Sequence, residues 1–296
     1  MKKIRNLIIY VLIELVGCIA RRIPRKAGLK LGKKIGDLVY IIIKKRRNIA
    51  VSNLRLVFGN ELTERNIKKL ARQSFQNMGK TLIEFLTFPA YTKEDLFKMV
   101  KIKGESNFIN SMAQGKGIIA ITAHFGNWEL IFHVLLTLTT KLSAIAQPFK
   151  NKPLNELVKK YRTSHGGKII DKEHAVKQSL ALLNKGFCVI ILSDQDAGKS
   201  GIFIDFFGIP ASFAKGPILF ALRTGAHVIE IFDIRQEDDN HIISISGPLD
   251  LIRTGNIERD IKLNTEMLAK HLEELILKYP SQWLWMHNRW KTRKTS

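Results

Sequence analysis

Cysteine is nearly missing: Cys18 and Cys188 are the two in 296 residues. That is too few for a disulfide framework, and no Cys/His cluster has the spacing of zinc ligands. Acidic residues are scarce too, with 26 Asp and Glu against 48 Lys and Arg and a net charge of +22. The amino-terminal apolar run, Leu7 to Ala20, is interrupted by Glu14 and falls short of the roughly 20 residues that span a bilayer as a helix. An apolar share of 45% with 25% charged excludes a disordered chain, and the length allows one large domain or two small ones.

What is present is positive charge gathered at one end. Residues 1–50 hold fourteen Lys or Arg against Glu14 and Asp37, a surface that attracts polyanions, whether anionic headgroups or nucleic acid. Lys2, Lys3 and Arg5 precede the apolar run, and Arg21, Arg22, Arg25 and Lys26 follow it. The segment therefore reads as a membrane anchor over residues 1–22, spanning or lying in the interface, with a buried core helix as the alternative. Basic flanks on both sides give no orientation. Leu15-Val-Gly-Cys18 has the look of a lipoprotein cleavage box, but Glu14 and the basic cluster behind it oppose export.

Chemistry concentrates in Gly117-Ile-Ile-Ala-Ile-Thr-Ala-His124-Phe-Gly-Asn-Trp-Glu129-Leu-Ile-Phe-His-Val-Leu-Leu136. Ile118 to Thr122 reads as a buried strand, and Trp128 to Leu136 as a helix with Asn127 as its N-cap. At about 100° per residue, positions five apart on one helix point roughly 140° away from each other, so His124 and Glu129 cannot share a helical face. With His124 at the strand end and Glu129 in the first helical turn, the corner through Gly126 folds the two side chains together. A neutral imidazole then takes a proton while the carboxylate orients it, the arrangement of a general base. The plainer alternative makes His124 a hydrogen-bonded corner residue and Glu129 a solvated acid favoured by the helix dipole.

Elsewhere the chain alternates helix and strand. Ala27 to Ile43 reads as a helix weakened by Gly28, Gly32 and Gly36. A long helix starts at Thr63 as cap and runs to Thr87, with Pro89 after its end. Lys141 to Gln147 is a second strand, giving with the first a parallel crossover unit whose carboxyl end is the usual ligand side. Leu154 to Tyr161 is a helix ending near Arg162, and Phe187 to Ser193 a strand entering the loop Asp194-Gln-Asp-Ala-Gly-Lys-Ser-Gly201. That loop is neither a Walker loop, since Ser193 stands where glycine is needed, nor an EF-hand, since Lys199 does. Lys215 to Thr224 reads as a helix, His227 to Arg235 and His241 to Ser246 as strands, and Glu258 to Lys278 as a helix stopped by Pro280.

Several of these segments resemble one family. His124-Phe-Gly-Asn-Trp-Glu129 is similar to the His-x4-Asp/Glu motif of the glycerolipid acyltransferase superfamily, and more closely to the bacterial lipid A biosynthesis acyltransferases. Arg47-Asn-Ile-Ala-Val-Ser-Asn-Leu54, Asp194-Gln195 with Phe206-Phe207-Gly208 and Pro210-Ala211, and Trp285-Met-His287-Asn-Arg289-Trp290-Lys291 resemble further signatures of that family. The resemblance implies an α/β fold with a central, mostly parallel sheet flanked by helices, an N-terminal helical membrane-anchoring segment, a basic helical region over 23–100 and an acyltransferase core over 101–296.

It also implies a reaction: a fatty acyl group passes from an acyl carrier protein thioester to a hydroxyl of a lipid A precursor, with no metal and no cofactor. The catalytic pair would be His124 and Glu129, with substrate contacts at Asn127, Arg162, Asp194, Gln195, Phe207, Gly208 and Arg289 and an apolar groove walled by Phe203, Phe206 and Phe207. Partners are then the carrier protein, the glycolipid and an anionic membrane surface, with no nucleic acid. The implied location is the cytoplasmic side of a bacterial inner membrane. Alternatives are another glycolipid or lysophospholipid acceptor such as a mannosylated inositol lipid, a basic nucleic-acid-binding protein, and a metallohydrolase using His124, Glu129 and His133.

Overall fold

The computed structural model describes residues 2–294. Nine strands form: β1 (Val100–Lys103), β2 (Ile118–Thr122), β3 (Leu142–Ala146), β4 (Lys168–Asp171), β5 (Cys188–Leu192), β6 (Ile202–Phe206), β7 (Ile209–Phe213), β8 (His227–Arg235) and β9 (His241–Ile245). Seven make one sheet in the order β1-β9-β8-β2-β5-β3-β4, parallel throughout except for the β8–β9 hairpin. Every residue of β2 is buried, as its unbroken apolar run demands of a strand covered on both faces. β6 and β7 pair as a separate hairpin. The crossover expected between β2 and β3 is parallel, but β5 inserts between the two strands. β5 is an almost wholly buried apolar run and takes the interior place, whereas Ala144 to Ala146 of β3 are only half-buried.

Among the described residues eleven α-helices surround these strands: α1 (Lys2–Ala20), α2 (Arg25–Ile42), α3 (Lys44–Phe58), α4 (Glu64–Thr87), α5 (Lys93–Met99), α6 (Glu105–Ala113), α7 (Trp128–Leu135), α8 (Lys152–Arg162), α9 (Ala175–Leu183), α10 (Gly216–Thr224) and α11 (Ile257–Lys278). Caps explain several starts. The Thr63 side chain accepts from the Asn66 N–H, Asn127 from that of Leu130, and Asn256 from those of Glu258 and Arg259.

The glycines of α2 do more than weaken a helix. Gly28, Gly32 and Gly36 fall at every fourth position and share one face, which lies against α4 at Ile83, Gly79 and Phe75. A Cβ on Gly36 would strike the Phe75 carbonyl, and one on Gly79 would strike that of Gly32. The two backbones thus touch directly. Close packing locks α4 in register, and α4 carries Asn77, Thr81 and Glu84 to the carboxyl end of the sheet.

Lys44 to Arg47 forms the first turn of α3, with Lys44, Lys45 and Arg46 exposed. At the other end of this region, α1 packs Tyr10, Ile13 and Val16 inward while Leu7, Ile8, Val11, Leu12, Leu15 and Ile19 stay exposed. Among the described residues no helix is long and apolar enough to cross a membrane, so the spanning form of the expected anchor finds no support.

Candidate active site

Strand register places the two central residues. β2 and β5 run parallel with Thr122 opposite Leu192, so two residues further on His124 and Asp194 leave the sheet side by side. The His124 Nδ1 lies 2.8 Å from Asp194 Oδ1. Asp194 is buried, and its other oxygen accepts from the Trp283 indole N–H at 2.9 Å. Burial works against the Asp194 charge, but the imidazole beside it and these hydrogen bonds hold the carboxyl below the usual carboxylate range. An ionised Asp194 fixes the proton of His124 on Nδ1 and leaves Nε2 as a bare acceptor. The Gln195 amide nitrogen stands 3.3 Å from that Nε2.

Glu129 does not make the contact expected of it. Its carboxylate is gripped by the Arg162 fork, Nε to Oε2 at 2.8 Å and Nη2 to Oε1 at 2.5 Å, and also accepts from the Trp128 indole at 3.2 Å. Burial raises the Glu129 pKa, and the Arg162 charge outweighs it, so the acid stays ionised. The correction has a simple cause. In the first turn of α7 the side chain points toward the end of α8, whereas the neighbouring parallel strand delivers a carboxylate directly beside the ring. Trp128 sits between the two pairs, its ring edge-on to His124 at a centroid distance of 5.0 Å.

The corner itself is held by distant segments. Gly126 adopts φ +57°, and a Cβ there would collide with Asp233, so only glycine fits. The Gly126 carbonyl accepts from Thr81 at 3.1 Å and Asn77 at 3.3 Å, and its N–H donates to Gln282. The Leu284 N–H donates to the His124 carbonyl. Beneath lies a buried ionic cluster: Glu84 accepts from Arg25 (2.8 Å), Arg235 (2.6 Å) and Asn127 (2.9 Å), while His241 bridges Glu84 (3.1 Å) and Asp233 (2.9 Å). The Asp233 carboxylate also accepts the Asn127 N–H at 2.6 Å. Although burial opposes its charge, the Asp233 and Glu84 carboxylates push the His241 pKa up to about 9. None of Glu84, Asp233, Arg235 or His241 was expected from sequence to touch the site.

This geometry, a histidine at a strand tip with a buried acid behind it, coincides with a match to a family model. The model described as bacterial lipid A biosynthesis acyltransferase covers residues 1–292. The chain belongs to that family. It is 26% identical over 266 residues to the lipid A biosynthesis palmitoleoyltransferase of Escherichia coli (strain K12), covering 89% of this chain and 84% of that one. To the lipid A biosynthesis lauroyltransferase of the same organism it is 24% identical over 280 residues, with 92% and 88% covered. It is also 22% identical over 227 residues to a phosphatidylinositol mannoside acyltransferase of Mycolicibacterium smegmatis, with 75% and 72% covered. The protein is an acyl-transferring enzyme.

Within this lipid A acyltransferase family fold, the residues expected to meet substrate divide into two groups. Asp194, Gln195 and Arg162 surround His124 and Glu129. Asn127, Arg289, Phe207 and Gly208 make contacts within the fold. Asn127 is fully buried as a cap and a Glu84 donor. Arg289 is fully buried, donates to the Ser212 carbonyl at 2.7 Å and lies over the Phe213 ring at 4.1 Å; burial pulls its pKa down to about 10. Phe207 and Gly208 form the turn of the β6–β7 hairpin with positive φ, and the Phe207 N–H donates to Glu273.

Of the phenylalanines expected to wall a groove, Phe203 and Phe207 are half-buried. Phe206 is buried among Trp283, Trp290 and Phe213, and a small, largely apolar cavity of about 10 Å³ lies behind the dyad, lined by residues including Ala123, Ser193, Phe213, Phe232 and Leu272. His133 pairs with His165 at 3.0 Å, and burial pushes its pKa down to about 3, so it is a neutral interior residue. Among the described residues no three His, Cys, Asp or Glu side chains converge as a metal site. The contact made by His287 was not foreseen from sequence: its Nε2 accepts the Asp196 N–H at 3.1 Å, and burial lowers its pKa to about 4. Trp283 and His287 lie in the aromatic and basic segment near the carboxyl end, which was the available signal.

Proposed function

We propose that this chain transfers a fatty acyl group from an acyl carrier protein thioester to a hydroxyl of a lipid A precursor, with His124 as general base and Asp194 as the acid that orients it. Family membership supports acyl transfer to such precursors. The observation that carries the mechanism is the 2.8 Å contact between His124 Nδ1 and the buried Asp194 carboxylate. With the ring proton held there, Nε2 accepts the proton of the incoming hydroxyl. The oxygen attacks the thioester carbonyl, and the tetrahedral intermediate collapses to the new ester. The departing thiolate takes the proton back from the imidazolium, which the Asp194 charge has stabilised meanwhile.

Gln195 occupies the Nε2 side in the free protein. Once a hydroxyl replaces it, its amide N–H is available to the developing oxyanion. Glu129 holds the Arg162 guanidinium by two of its three nitrogens, which leaves Nη1 to face an anionic group of the substrate. The exposed apolar stripe of α1 and the basic residues that follow it support attachment to an anionic membrane surface, which the family reading puts on the cytoplasmic side of the inner membrane. A second reading, a different glycolipid acceptor, draws on the likeness to the mycobacterial phosphatidylinositol mannoside acyltransferase.

Purified protein incubated with acyl carrier protein thioesters or coenzyme A thioesters, and with lipid A precursor or mannosylated inositol lipid, decides between them by mass spectrometry. Acyl gain on the lipid A precursor from the carrier protein donor is expected. Gain on the inositol lipid alone, or no gain on any acceptor, overturns the reading.

A further inference from the structure

A second apolar patch stands apart from α1, at the corner where α2 turns into α3. Leu38, Ile41, Ile42 and Ile43 are 55%, 60%, 65% and 43% exposed, a dense group of bare aliphatic side chains for a protein surface. Helix periodicity accounts for the first three, since Leu38, Ile41 and Ile42 share the α2 face opposite its glycines. Ile43 is the bend itself, with ψ 67°. Directly behind it Lys44, Lys45 and Arg46 are all exposed, and Arg47 lies over the Tyr40 ring. No acid stands among residues 38–60, and Asp37, the nearest one before them, is already held by Arg72 and Gln76.

We infer that this α2–α3 corner is an insertion point for an anionic bilayer, separate from α1: Leu38 and Ile41 to Ile43 enter the acyl boundary while Lys44 to Arg46 contact lipid phosphates. The inference deepens the membrane-lipid reading above and rests on it. Charge complementarity selects the occupant. A second copy of this chain would bring the same cations against these, and like charges oppose that contact. A nucleic acid would satisfy the cations but leave the isoleucines in water. Only a surface that is apolar inside and anionic at its rim answers both halves of the patch.

The corner also touches the site. Arg46 donates to the Met286 carbonyl at 3.2 Å, next to His287, which accepts from the Asp194-to-Gly201 loop through Asp196. A bilayer seated here therefore lies against the segment that carries Trp283 to Asp194, which brings a lipid acceptor near His124 without first leaving the membrane.

The test is flotation of the purified full chain with phosphatidylethanolamine vesicles containing about 30 mol% phosphatidylglycerol, alongside neutral phosphatidylcholine vesicles. The double variant Ile41→Glu/Ile42→Glu is expected to weaken binding to the anionic vesicles at least about tenfold, and Lys44→Glu/Lys45→Glu to remove the preference for anionic over neutral lipid, about fivefold per cation. Both pairs are exposed, so circular dichroism should match the parent. The milder Ile41→Ser/Ile42→Ser gives an intermediate loss. A Leu12→Glu/Leu15→Glu variant measures the α1 contribution in parallel. Binding by Ile41→Glu/Ile42→Glu equal to the parent overturns the inference, as does a parent dimer that this variant dissolves while vesicle binding persists. The vesicle readout needs no turnover, so an inactive parent protein would sink the acyltransfer reading without touching this result.

Discussion

His124 and Asp194 are joined at 2.8 Å although roughly seventy residues part them in the chain, and that contact, rather than the one expected with Glu129, sets the tautomer of the imidazole. Asp194→Asn keeps the shape and the Trp283 contact but lets the ring turn its proton to Nε2, where it blocks the hydroxyl. A fall in kcat of about three orders of magnitude with little change in KM is expected from steady-state kinetics. A kcat within threefold of the parent would contradict the assignment.

Glu129 belongs to Arg162, so the two should act as one unit. Glu129→Gln and Arg162→Lys are each expected to lower activity, and the double variant to lose scarcely more than either single one, a coupling of about 1–3 kcal/mol in a double-mutant cycle. The same cycle between Glu129 and His124 should give a smaller coupling. Equal coupling to both would restore Glu129 as the orienting acid.

Stability should fall on both sides of neutrality, for different histidines. The His241 pKa is raised from 6.5 to about 9, so its contribution is complete below pH 6.5 and is lost as pH climbs through about 9. The His133 pKa is lowered from 6.5 to about 3, so its contribution is complete above pH 6.5 and is lost as pH drops toward 3. Urea unfolding across pH 4 to 10 should show both limbs, and His241→Phe should flatten the alkaline one alone. This substitution also takes the imidazole away from the buried Asp233 carboxylate, so the variant is expected to lose about 3 kcal/mol or more at pH 7.

Gly36→Ala and Gly79→Ala place a methyl group against backbone rather than against a movable side chain. Each should cost about 1–3 kcal/mol in denaturant unfolding, whereas Gly166→Ala, with no atom near its Cβ, is strained by its positive φ alone. Because α4 carries Thr81 and Asn77 to the Gly126 carbonyl, the two α2–α4 variants should also lower kcat. Loss of stability without loss of activity would separate that helix pair from the site.

Local signals reached most elements and only part of the site. Thr63 and Asn127 announce helix starts because their side chains bond the next turn, and unbroken apolar runs announce β2 and β5. The Asp194 partnership was hidden because it depends on which strands become neighbours, and β5 slips between β2 and β3 only once the whole sheet is assembled. Glu84 was hidden inside a helical stripe, where a buried acid has no local mark. The α2 glycines were visible but carried the opposite sense, since propensity reports the isolated helix and not the backbone pressed against it.

The hydrogen bonds that join Gln282, Trp283 and Leu284 to Gly126, Asp194 and His124 have a temporal meaning. A chain emerging from the ribosome completes β2, α7 and β5 well before this clasp exists. Until the clasp arrives the acid lacks its indole partner and the histidine backbone its tether. Acyl transfer should therefore switch on only once residues 282–284 have docked on the strand tips.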